Sequence, residues 1–170
     1  MGVLEKFEFR NIKSSEADQA IESEHICFPP NEACSAKTMR ERVTEAQELF
    51  LVAVDKKTEN IAGYLIGIAT DEGSFRDEFF TDIKLHQKDG KNIMLLSLGV
   101  LPEYRGQGLA RELMAQYLQR ERANHREEVF LTCLKEKVKM YQSFGFSDLG
   151  IANSTWGGEE WHEMSCRLES

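Results

Sequence analysis

Residues 98–110 (Leu-Gly-Val-Leu-Pro-Glu-Tyr-Arg-Gly-Gln-Gly-Leu-Ala) constrain this chain more than any other stretch. They begin inside a nearly continuous apolar run, 93–101, which reads as a strand buried on both faces. From Gly106 the pattern changes to an amphipathic helix reaching Arg122, with Leu109, Leu113 and Tyr117 along one side. Between strand and helix stand Gly106 and Gly108, which let the backbone approach a ligand closely. The first amides of a helix have no internal partners and carry partial positive charge. A buried strand, a glycine turn and a helix start together make an anion site suited to phosphate or pyrophosphate.

Strands and helices alternate around this unit. Residues 7–10 alternate apolar and charged and read as a first strand. Ser14-Ser15 offers a cap for a helix with Ala17, Ile21 and Phe28 at helical spacing, ended by Pro29-Pro30. Ser35 caps a second short helix that carries Met39 and Val43. Residues 49–55 and 61–70 read as a hairpin. Residues 71–91 are polar and long for a connection, so they hold a short helix or form a mobile functional loop. A strand at 129–133, a helix at 137–144 closed by Gly145, and strands at 146–151 and 161–168 around Gly157-Gly158 complete the chain. The class is mixed α/β, and the 170 residues suit one domain, 1–170.

Composition narrows the function. Ten Phe, four Tyr and two Trp exclude a disordered chain. A net charge of −8 and a pI near 5.1 argue against nucleic acid, whose phosphates need clustered Lys and Arg, and suit a cationic small substrate. No apolar run approaches the ~20 residues of a membrane span. The start of the chain has no signal-peptide core, and Lys6 stands where a myristoylation signal needs Ser or Thr. The expected location is cytoplasmic, with no membrane partner, as a monomer or homodimer. Cys27, Cys34, Cys133 and Cys166 lack CxxC spacing, and the four histidines form no HxxxH pair, so no metal site is expected.

Three phosphate-binding signatures compete for the turn. A P-loop needs Lys-Ser or Lys-Thr after the glycines, and neither follows. A dinucleotide fingerprint needs a third glycine, where Arg111 stands. The third is the [QR]xxGx[GA] turn of the GNAT-superfamily acetyltransferases, which Arg105, Gly108 and Ala110 fit. The chain resembles that superfamily. The resemblance implies a twisted mixed sheet of about six or seven strands flanked by about four helices, with acetyl-CoA wedged where two central strands splay. It implies cofactor contacts from Leu98, Gly99, Val100, Arg105, Gly106, Gln107, Gly108, Leu109 and Ala110. Backbone groups of Leu98 and Val100 would pair with the pantetheine arm, and the turn 105–110 would cradle the pyrophosphate.

Residues 139–146 (Lys-Met-Tyr-Gln-Ser-Phe-Gly-Phe) resemble the superfamily's FYxxxGF segment, which makes Tyr141 the catalytic acid toward the departing thiolate. A phenol of pKa near ~10 can supply that proton and stays protonated at neutral pH. Over residues 15–168 the chain is further similar to the arylalkylamine (serotonin) N-acetyltransferases. The segment 27–33 (Cys-Phe-Pro-Pro-Asn-Glu-Ala) matches their Pro-containing loop over the amine pocket. That likeness implies a small primary amine, aryl-alkyl or polyamine, in a pocket lined by Phe28, Pro29, Met94 and Leu96. It departs in one respect: the histidine pair of the vertebrate enzymes falls on Met94 and Leu96, and residues 93–101 hold no His, Asp or Glu.

The proton acceptor therefore lies elsewhere or is a water chain. Glu24 and His25 are candidates, although solvated helix positions are the commoner reading. Lys135, Lys137 and Lys139 could meet the 3′-phosphate of CoA or simply form an exposed helix face. His86, Asp71 and Glu72 could face a cationic amine, with a solvated loop as the default. Cys133, in an apolar strand, reads as an inert thiol. With no activated nucleophile visible, direct transfer in a ternary complex is expected. Two other functions remain: a protein Lys or N-terminal acetyltransferase with an open groove, and a non-catalytic acyl-CoA sensor.

Overall fold

The computed structural model describes residues 2–168. A short helix α1 (Val3–Lys6) leads into strand β1 (Phe7–Asn11), followed by helices α2 (Ala17–Cys27) and α3 (Ala36–Glu45). Strands β2 (Phe50–Asp55), β3 (Ile61–Thr70) and β4 (Asn92–Val100) come next, then helix α4 (Leu109–Ala123) and strand β5 (Glu128–Cys133). Helix α5 (Val138–Ser143) and strands β6 (Ser147–Ile151) and β7 (His162–Arg167) close the chain. The seven strands form one mixed sheet in the order β1-β2-β3-β4-β5-β7-β6, with β4 and β5 the parallel neighbours. This is the expected mixed α/β architecture. Helix α1 was not foreseen, because four residues carry no periodicity.

Helix α4 covers one face of the sheet. Its Leu109, Leu113, Met114 and Tyr117 pack against Ile93 and Leu95 of β4 and Val129 and Leu131 of β5. Burying each large apolar side chain stabilises the fold by roughly 1.5–3 kcal/mol, so this seam holds the two central strands to one helix. Helices α2 and α3 cover the other face with Ala20, Met39 and Val43 against Phe50, Val52, Tyr64 and Ile66. The Ser35 hydroxyl caps α3 by accepting from the Thr38 amide at 3.1 Å.

The connection 71–91 holds two 3-10 turns, Asp77–Phe80 and Ile83–Leu85, in place of an α-helix. Its Phe75, Phe79 and Phe80 are buried with Ile68, Met94 and Phe130. A segment that looks polar in sequence is therefore anchored by three aromatic rings.

Two irregularities in β4 shape the functional region. Ser97 lies opposite Ile66 and Leu95 opposite Gly67, so Leu96 is an extra, bulged residue. A bulge re-aims the side chains that follow it. Leu96 stays on the side of Met94 and Phe80, and Ser97 turns toward α2. The second irregularity is a splay. The ladder between β4 and β5 covers only Asn92–Met94 against Glu128–Phe130, after which the strands part. Among the described residues no helix is long and apolar enough to cross a membrane.

Candidate active site

A cavity of about 620 Å³ runs through the splay. Its walls come from β4, the glycine turn, α4, β5 and α5 on one side and from α2 and three loops on the other.

On the first side, Leu98, Gly99, Val100, Arg105, Gly106, Gly108, Leu109 and Ala110 all line the cavity. The Leu101 amide donates to the Ala62 carbonyl at 2.9 Å. By antiparallel alternation the peptide groups of Leu98 and Val100 then face the gap left by β5. The Val100 carbonyl accepts from Arg105 Nε at 2.8 Å, so the guanidinium lies along the same gap. Gly106 (φ +78°) and Gly108 (φ +84°) adopt left-handed backbone, and Gly108 opens α4. A Cβ at either position would meet nothing within 4 Å. Gly99 is different: a Cβ there would stand 2.6 Å from the Tyr64 ring, so its glycine serves packing between β4 and β3. Gln107 points away from the cavity and accepts from Lys6 Nζ at 3.4 Å.

Further along, Tyr141 packs edge-on against Phe144 and Phe146, with 6.0 Å between ring centroids in each pair. Burial raises its phenol above the ordinary value, so the hydroxyl remains a proton donor at neutral pH. Cys133 is buried with Sγ 3.5 Å from Met164 Sδ, and burial pushes its thiol up to about 12. It is thus held as an unreactive thiol. Lys137 reaches the cavity wall, and Lys135 and Lys139 are exposed.

The second side is aromatic with two carboxylates. Phe28, Phe80, Leu96, Trp156 and Trp161 supply apolar wall, and Glu24 and Glu32 supply charge. Three loops are stitched together over it. Trp156 Nε1 donates to the Glu32 carbonyl at 3.0 Å, and Asn31 Nδ2 donates to the Gly157 carbonyl at 3.1 Å. The Thr155 amide donates to Asp77 at 3.0 Å, and the Phe80 ring lies 4.8 Å from that of Trp156. The Gly157 backbone (φ +62°) sits so close that a Cβ would stand 2.5 Å from the Asn31 carbonyl oxygen.

Two expected pocket residues lie elsewhere. Met94 is fully buried in the core, because it lies where β4 is still paired with β5, opposite Phe130, whereas Leu96 stands past the point where the strands part. Pro29 is exposed, and its carbonyl accepts the amides of Glu32 and Ala33 to form the turn that presents Glu32. Sequence reasoning missed Ser97, Phe80, Glu32, Trp156 and Trp161. The available signal was two tryptophans bracketing the Gly157-Gly158 turn.

Glu24 is not solvated. It is only 3% exposed. Its Oε1 accepts the Tyr64 hydroxyl at 2.7 Å and the Ser97 hydroxyl at 2.8 Å. Its Oε2 accepts the Cys34 amide at 3.2 Å. His25, next to it in sequence, is exposed with Nε2 3.2 Å from the Cys34 carbonyl. His86 is bonded to the Ala69 amide and to Glu48, away from the cavity, and Glu72 pairs with Arg76 at the surface.

A splayed parallel pair, a left-handed glycine turn opening a helix, and a cavity joining the two halves form one site with an anion-binding end. The chain belongs to the acetyltransferase (GNAT) family, whose model matches residues 16–146. No curated protein matches it in sequence. Among solved structures it is similar to the loading GNATL domain of CurA from Lyngbya majuscula. That pair shares 16% identity with a TM-score of 0.83, covering 95% of this chain and 98% of the other. The GphF GNAT-like decarboxylase in complex with isobutyryl-CoA gives 17% identity and a TM-score of 0.78, covering 95% and 100%. For yncA from Salmonella typhimurium with its cofactor acetyl-CoA the values are 16% and 0.68, covering 96% and 95%. At such identities the likeness is one of fold.

Proposed function

We propose that residues 1–170 form one acetyltransferase domain that moves an acetyl group from acetyl-CoA to a small primary amine, as in the arylalkylamine branch. The observation that carries this reading is the single cavity joining the glycine-turn cradle to a roofed aromatic pocket, with Tyr141 on its wall. Peptide groups of Leu98 and Val100 would hold the pantetheine arm, and the amides of the turn 105–110 the pyrophosphate. The amine nitrogen attacks the thioester carbonyl; the C–N bond forms and the C–S bond breaks. Tyr141 gives its phenolic proton to the departing thiolate and regains one from water. Holding amine and thioester in attack geometry supplies several kcal/mol of the rate enhancement.

The stitched roof favours a small acceptor over a protein chain, which needs an open groove. Glu32, Glu24 and the net charge of −8 favour a cation. The test is CoA release from acetyl-CoA with tryptamine, phenethylamine, spermidine and a Lys peptide. Turnover with one of the free amines, falling roughly 10²-fold or more in Tyr141→Phe, supports the reading. Tight CoA binding without turnover on any acceptor refutes it in favour of a sensor. The likeness to GphF favours a second reading, decarboxylation of a carboxyacyl-CoA. Release of CO2 from malonyl-CoA with no amine present would select it.

A further inference from the structure

Strand β4 offers no base along its cavity-facing length, yet a protonated amine must lose a proton before it can attack. The structure places one carboxylate against that strand. Glu24 reaches from α2 to the bulged stretch of β4 and accepts the Ser97 hydroxyl at 2.8 Å. Both residues line the cavity. A carboxylate this deeply buried is expensive to maintain unless it is paired. No Lys, Arg or His forms an ion pair with Glu24 among the described residues; hydroxyl and amide donors hold it instead. An ammonium substrate entering the cavity would bring a cation to it.

Several groups face Glu24. Tyr64 comes from β3 and Ser97 from β4. Cys27 shares its helix, Cys34 lies on the loop that follows, Arg42 of α3 stands behind Cys34, and Arg105 stands behind Cys27. The environment raises the thiols of Cys27 and Cys34 and the Tyr64 phenol above their ordinary values, so all three stay protonated. Glu24 is the only carboxyl group among these neighbours.

On the reading that this cavity acetylates amines, we infer that Glu24 is the proton acceptor of the reaction and that the Ser97 hydroxyl bridges it to the substrate nitrogen. The ammonium N–H proton passes to Ser97 Oγ as the Ser97 proton passes to Glu24, and the electron pair stays on nitrogen for the attack. Glu24 becomes a neutral acid and returns its proton to water after product leaves. The bulge at Leu96 has a chemical consequence here, since without the extra residue Ser97 would face the opposite side of the sheet.

The test compares two acceptors in wild type, Glu24→Gln and Ser97→Ala. One is an alkylamine of pKa near ~10, protonated at the assay pH. The other is an alkoxyamine, largely neutral there. With the alkylamine, Glu24→Gln is expected to lose roughly 10²-fold or more in kcat/KM, and with the alkoxyamine most of that loss disappears. Ser97→Ala, which leaves Glu24 in place, shows the same dependence with a smaller loss. CoA affinity and thermal unfolding of each variant report folding. Equal losses with both acceptors, or none with either, overturn the inference. A wild type that binds CoA and acetylates neither acceptor overturns the proposed function itself, and this inference with it.

Discussion

Replacing Gly108 with alanine separates what the glycine turn does for folding from what it does for a ligand. Gly108 sits at φ +84° at the start of α4. An L-residue in left-handed backbone costs roughly 1–2 kcal/mol. A Cβ built at Gly108 meets no protein atom within 4 Å. The folding penalty is therefore backbone strain alone, which for a chain of this size lowers Tm by about 2–8 °C. That strain is the same with and without ligand, so it leaves affinity untouched. The empty space around the Cβ matters only if a ligand occupies it. A pyrophosphate cradled on the amides of residues 105–110 would meet the new methyl group directly. Loss of even one charge-assisted hydrogen bond, worth about 1.5–3 kcal/mol, weakens CoA binding by roughly tenfold or more. Calorimetric titration of CoA and thermal unfolding followed by circular dichroism measure the two effects on the same samples. A lowered Tm with unchanged CoA affinity would refute the cradle and leave Gly108 as a turn residue only.

Gly157→Ala should act on the opposite side of the cavity. Its Cβ would stand 2.5 Å from the Asn31 carbonyl oxygen, so left-handed strain and overpacking together cost about 2–5 kcal/mol. If the proposed amine acetylation holds, steady-state kinetics should show KM for the amine rising more than KM for acetyl-CoA, and equal rises would contradict the loop assignment. Stability should also depend on acid through Glu16. Its carboxylate accepts both terminal nitrogens of Arg10, at 2.9 and 2.8 Å, and this pairing lowers its pKa below the ordinary 4.5. The stabilisation is complete above that value and is lost as pH falls through the folded pKa. Arg10→Met should therefore lose about 1 kcal/mol at pH ~7 and little at pH ~3 in urea unfolding. The same loss at both pH values would show that the pair contributes through packing instead.

Sequence alone determined the parts of this protein whose signals are local. The apolar run into a glycine turn and an amphipathic helix specified β4, the turn and α4, because burial, left-handed backbone and helix periodicity each leave a contiguous mark. The packing of Tyr141 against Phe144 and Phe146 is local in the same way, since all three lie on one segment. The opposite side of the cavity had no such mark. Glu24, Phe80, Ser97, Trp156 and Trp161 come from separate segments that meet only when the loops dock. The pocket assignments of Met94 and Leu96 show the same limit. Strict alternation treats them alike, and the end of the β4–β5 ladder at Met94 leaves one in the core and the other on the wall. Glu24 read as a solvated helix residue because its immediate neighbours in sequence, Ser23 and His25, are polar. Only tertiary structure brings Tyr64, Ser97 and the Cys34 amide to its carboxyl group and turns a surface-like glutamate into a buried one. A buried polar group is defined by the groups that surround it, and those groups come from parts of the chain far apart in sequence.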